Sequence, residues 1–134
     1  MKKKLLFLST PQVLLIHDQM VKRFGGSLGV RDLGLVESAV ARPQASFDNQ
    51  DLYQTIFDKA AALLQSLLKN HPFTDGNKRT ALTSAGLFLK KNDYKLVNQH
   101  KEEVEFAVRV DNGNLTIEQI SKWLKEHSVK QSLA

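Results

Sequence analysis

The stretch LYQTIFDKAAALLQSLLKN, residues 52–70, limits the possible folds more than any other part of the chain. Helical spacing puts Ile56, Ala60, Leu63 and Leu67 on one line and Phe57, Ala61, Leu64 and Leu68 on the line beside it. Together they form an apolar face wider than the single stripe of a surface helix. Such a helix has to be covered on several sides. The stretch NKRTALTSAGLFLKKN, residues 77–92, is also apolar on several sides, through Ala81, Leu82, Ala85, Phe88 and Leu89. It reads as a central helix wrapped by the others.

The rest of the chain supplies the wrapping. In STPQVLLIHDQMVKRFGG, Thr10 is a candidate N-cap and Pro11 fits the first helical position. Val13, Ile16, Met20 and Phe24 share a stripe that stops at Gly25 and Gly26. RDLGLVESAVARP is a second, short helix ended by Pro43, and QASFDNQD has no helical period and reads as a flap or short hairpin. YKLVN is at most a short strand. KEEVEFAVRVDNGN and TIEQISKWLKEH are two further helices, the latter opened by a capping box of Thr116 and Gln119. With 134 residues there is enough chain for one core, not two. The expectation is an all-α, compact single domain over residues 1–134, without repeats or internal linkers.

Composition excludes more than it assigns. There is no cysteine, which removes disulfides and thiol catalysis. MKKKLLFLSTPQ begins like a secretory signal, but its apolar run is four residues and no small-residue cleavage site follows. No run approaches the ~20 residues of a membrane span, so the expectation is a cytoplasmic protein without a membrane partner. The net charge of +5 favours anionic partners weakly, since lysines at the two ends inflate it. No helix shows a stripe of Arg and Lys with interleaved aromatics, so direct DNA binding is not expected. His17, His71, His100 and His127 lack the paired spacing of a zinc site. GNKRT lacks the glycine spacing of a P-loop.

Between the two apolar helices lies HPFTDGNKR, residues 71–79. If the second helix begins near Asn77, the backbone N–H groups of Gly76, Asn77 and Lys78 point out of its positive end, toward an anion. Gly76 permits a positive φ or a close phosphate approach. Lys78 and Arg79 add cationic contacts, and Arg79 can grip a phosphate in a bidentate way. Asp75 is a hard oxygen ligand suited to Mg²⁺, and His71 can take a proton from a hydroxyl near neutral pH. Phe73 reads as a plug into the core. Taken singly, each has a blander role: helix cap, turn residue or solvated charge. Seven specified positions in nine, however, match by chance on the order of once in a billion starts. His17 reads as a satisfied core histidine, Arg31 and Glu37 as helix-start or packing residues, and Trp123 as packing the last helix.

HPFTDGNKR resembles the signature of Fic-fold proteins, His-Pro-Phe-x-[Asp/Glu]-Gly-Asn-x-Arg, and the Lys before the Arg resembles the death-on-curing (Doc) toxin branch. GVRDLGLVESAVARPQASF and FDKAAALLQSLLKNHPFTDGNKRTAL resemble that branch too, so the likeness covers about residues 7–125. The resemblance implies a helical domain with an active site beneath a flap near residues 42–47. By the same resemblance His71 is the base, Asp75 holds Mg²⁺, Gly76 and Asn77 form the anion hole, and Arg79 grips phosphate.

Two positions depart from the AMP-transferring members, which usually read Gly-Asn-Gly-Arg-x-x-Arg: Lys78 replaces the second Gly and Leu82 the second Arg. In the Doc branch this goes with transfer of the ATP γ-phosphate to a threonine of translation elongation factor Tu, which stops protein synthesis. The resemblance therefore implies a kinase toxin with Lys78 at its phosphate cradle. AMP transfer and a catalytically inactive nucleotide-binding module are the alternatives. No [Ser/Thr]-x-x-x-Glu-[Gly/Asn] self-inhibitory segment is present. Inhibition by the helix of a separate, Phd-like antitoxin is the implied regulation.

Overall fold

The computed structural model describes residues 4–131. Six α-helices run in chain order: α1 Thr10–Phe24, α2 Leu33–Ala41, α3 Ile56–Lys69, α4 Asn77–Lys91, α5 His100–Asp111 and α6 Ile117–Glu126. Two two-stranded antiparallel sheets complete the described residues. β1 Ser46–Phe47 pairs with β2 Gln50–Asp51, and β3 Tyr94–Leu96 pairs with β4 Ser128–Lys130. The all-α single-domain expectation holds, with the hairpin in place.

The most deeply buried helix is α3 rather than α4. Phe57, Ala60, Ala61, Leu63, Leu64, Leu67 and Leu68 are all buried, as the two adjacent apolar lines require. Packing against α2, α4, α5 and α6 covers α3 on nearly every side. Removing a Leu or Phe side chain from water at such a position contributes about 1.5–3 kcal/mol. Helix α4 buries Ala81, Ala85, Phe88 and Leu89 but turns Leu82 to a cleft. Its mixed face reflects two neighbours of different character.

Local chemistry sets the helix ends. Ser9, not Thr10, caps α1, exchanging bonds with Gln12 in a capping box; the structure shifts that boundary by one residue. Thr55 and Asp58 close a second box on α3, and Thr116 and Gln119 a third on α6. After α2 the chain tightens into a 3-10 turn at Arg42–Gln44 instead of stopping at Pro43. Its Arg42 guanidinium donates to the Tyr53 hydroxyl at 2.8 Å, Gln65 at 2.8 Å and Ser66 at 2.9 Å. Residues 42–44 are thus pinned to α3, and the free flap begins only at Ser46. At its tip Asp48 and Asn49 have φ of 53° and 62°, the two positive values a tight two-residue hairpin turn demands. The fully buried Lys59 ties the hairpin down, donating to the Asp51 carboxylate at 3.1 Å and to the Tyr53 carbonyl.

Truncating the central helix tests this arrangement. Leu64→Ala should lower unfolding free energy by about 2–5 kcal/mol, because surrounding helices cannot collapse into the space left. The check is urea denaturation; a loss below about 1 kcal/mol would show that α3 is not the centre of the core.

Candidate active site

The loop between α3 and α4 begins with backbone in an unusual state. Asn70 closes α3, and His71 follows at φ 46°, a left-handed conformation that costs a non-glycine residue about 1–2 kcal/mol. Arg31 offsets that cost. Its Nε donates to the His71 carbonyl at 2.7 Å and its Nη2 to the Asn70 carbonyl at 2.6 Å, satisfying one acceptor left open at the end of α3 and one in the loop itself. The segment before α2 then laces to the loop like a short sheet. Arg31 and Asp32 N–H groups donate to the Pro72 carbonyl, Thr74 N–H donates to the Gly29 carbonyl, and Val30 bridges Phe73. Gly29 makes this possible, since a Cβ there would lie 2.6 Å from Thr74 Oγ1.

Phe73 plugs the core as expected, 2% exposed and stacked on the His17 ring at 3.8 Å. His17 is itself buried, and its Nε2–H donates to the Asp75 carbonyl at 2.8 Å. The side chain of Asn77 works on the same loop: Oδ1 accepts from Phe73 N–H at 3.1 Å and Nδ2 donates to the Phe73 carbonyl at 2.9 Å. In this state Asn77 clamps the loop rather than facing an anion.

Gly76 stands before α4 with φ 79° and ψ 16°. Space is not what requires glycine here, because a Cβ would meet His17 and Val21 at ordinary distances; the left-handed backbone is. No side chain caps α4 and no acidic residue lies in its first turn. An open helix N-terminus flanked by Lys78 and Arg79 is chemically fitted to an anion. Arg79 lies over the Phe24 ring at 3.9 Å, and the Lys78 ammonium is 3.6 Å from Asp111. Asp75 is exposed and its Oδ2 accepts from Ser27 N–H at 2.8 Å, which fixes the carboxylate beside the nest. Among the described residues no cluster of three or more His, Asp or Glu could hold a metal. A lone carboxylate suits Mg²⁺, which takes most of its ligands from water and phosphate.

These residues line one cleft of about 560 Å³. His71, Asp75, Gly76, Asn77, Lys78 and Arg79 all reach it, so the structure brings together the motif residues read as catalytic or binding, while Phe73 turns into the core. The opposite wall comes from α5, through His100, Glu103 and Val104. Burial pushes the Glu103 carboxyl above the usual glutamate range, and the nearby His100 pulls it part of the way back. Two contributors escaped the motif. Asp111, at the end of α5, accepts from His71 Nε2 at 2.8 Å; in the sequence it looks like a helix-end residue before Asn112 and Gly113. Arg31 reads as a packing residue, and no spacing links it to the loop it braces.

The Fic/DOC family matches residues 7–89. A protein named Toxin Doc from Mycolicibacterium smegmatis (strain ATCC 700084 / mc(2)155) is 58% identical over 73 residues, which are 54% of this chain and 56% of that protein. Protein kinase doc from Escherichia phage P1 is 30% identical over 118 residues, 88% of this chain and 92% of the phage protein. The chain belongs to the Fic/DOC family, within its Doc branch. Its match spans about half the length of the Mycolicibacterium relative.

The clamp and the cleft acid each yield a test. Asn77→Ala strands the Phe73 N–H and carbonyl and should cost about 1–3 kcal/mol in urea unfolding; unchanged stability would mean the clamp does not hold the loop. For Glu103 the folded state binds its proton more tightly than the unfolded chain. Below the unfolded value both states are protonated and nothing is lost; as pH rises through the folded value, ionisation destabilises the fold. The Tm advantage of Glu103→Gln over wild type should therefore grow from pH 4 to pH 7. A gap independent of pH would contradict it.

Proposed function

We propose that this protein is a Doc-type toxin and an ATP-dependent protein kinase, which moves the γ-phosphate to a threonine hydroxyl of translation elongation factor Tu and halts translation. The observation that carries the reading is the make-up of the cleft at α4: an uncapped helix N-terminus with a lysine, not a glycine, in its first turn, and Leu82 where a second arginine would hold a terminal phosphate. A side chain at Lys78 narrows the cradle while adding charge, and an apolar Leu82 offers nothing to a polyphosphate tail. The names of the two relatives, a toxin and a protein kinase, support the same reading.

In this mechanism His71 takes the proton of the acceptor hydroxyl. The hydroxyl oxygen bonds to the γ-phosphorus as the bond to the bridging oxygen breaks, and ADP leaves. Backbone N–H groups at Gly76, Asn77 and Lys78 stabilise developing negative charge, with Lys78 and Arg79 beside them. Asp75 would hold Mg²⁺, which supplies charge neutralisation between phosphates. The exposed hairpin with Phe47 at its edge lies free to align an extended target segment. A separate Phd-like antitoxin helix laid across the nucleotide end of the cleft would silence the enzyme.

Intact-mass analysis of elongation factor Tu incubated with the protein, ATP and Mg²⁺ tests the proposal, with His71→Ala beside it. A gain of one phosphate is expected in the wild-type reaction and none with the variant. A gain of one AMP would make the protein a nucleotidyltransferase instead, and no gain would remove elongation factor Tu as the target.

A further inference from the structure

His71 and Asp111 form a pair that lies outside the motif altogether. Asp111 ends α5, forty residues downstream, and its Oδ1 is 2.8 Å from His71 Nε2. Its other oxygen, Oδ2, is 3.6 Å from the Lys78 ammonium, so the carboxylate is held between the two. The Asp111 side chain is 19% exposed and does not line the cleft, whereas His71 and Lys78 do. It stands behind them and can reach a substrate only through them.

A carboxylate accepts hydrogen bonds and cannot donate one, so the imidazole nitrogen facing it carries the proton. In the neutral ring this leaves Nδ1 with its lone pair, and Nδ1 has no hydrogen-bond partner among the described residues. We infer that Asp111 is a positioning residue that locks His71 in the Nε2–H tautomer, so that Nδ1 is the atom that takes the proton from the acceptor hydroxyl. Lys78 serves the same arrangement by anchoring the second carboxylate oxygen, which stops Asp111 from turning away. The role of Nδ1 as proton acceptor rests on the reading of His71 as the base; the tautomer itself does not.

Long-range 1H–15N spectra of the histidine rings, recorded where His71 is neutral and assigned with His71→Ala, test the tautomer directly. The wild-type proton should sit on Nε2, and the share of that tautomer should fall in Asp111→Ala and fall less in Asp111→Asn, whose amide group keeps the volume and can either accept from the ring or donate to it. A wild-type ring protonated on Nδ1, or an Nε2–H ring unchanged in both variants, would overturn the inference. In phosphate transfer kcat should fall about 10- to 100-fold in either variant, with KM for ATP changed less than about threefold. A rise in kcat would make Asp111 a brake and overturn its positioning role. If the wild-type protein transfers nothing, the kinase reading fails, and the spectra still decide the tautomer.

Discussion

Everything polar in the candidate site is arranged around one apolar contact, the burial of Phe73 against the His17 ring. Seven residues separate the end of α3 from the start of α4, and a polar loop of that length has many alternative paths. Phe73 removes most of them by filling a core position with its ring stacked at 3.8 Å. Its neighbours are then fixed by backbone: Pro72 and Thr74 bond to the segment before α2, and the Asp75 carbonyl accepts from His17. His71 sits at φ 46° because the chain has to leave α3 in the direction Phe73 demands, and Arg31 satisfies the carbonyls this exposes. The strain sits in the residue proposed as the base itself.

Charge at the start of α4 runs against the usual preference. A helix N-terminus favours acidic residues, yet Lys78 and Arg79 stand there and no acid does. In this state both cations are engaged at the periphery, Lys78 near Asp111 and Arg79 over Phe24. An arrangement that costs the helix stability is consistent with a site whose full complement of charge includes a bound anion. Across the cleft, partial burial raises the Glu103 carboxyl above the usual glutamate range, and the nearby His100 opposes that shift.

Much of the fold was legible because burial leaves a periodic trace. The double apolar line of α3, the capping box of α6 and the break at QASFDNQD each translate a local rule into an element. The errors are local too. Ser9 and Thr10 are equally plausible caps until Gln12 is seen to answer Ser9. The strand Ser128–Lys130 has no pattern of its own and exists only through its pairing with Tyr94–Leu96. On sequence alone α4 rather than α3 reads as the central helix, because the helix that contributes to a cleft and the helix that fills the core both look apolar on several sides.

The amino-acid order by itself determined the helical class, the loop joining α3 and α4, and the set of side chains presented along it, because those depend on spacing within a few turns of chain. Tertiary structure alone decided how that set is used. It placed Asp111 against His71, Arg31 beneath the loop, and the Asn77 amide on Phe73 rather than outward. Contacts between residues forty positions apart follow from how helices pack, and no periodicity records them. Orientation and proton placement at the candidate base are therefore properties of the fold, while the presence of that base is a property of the sequence.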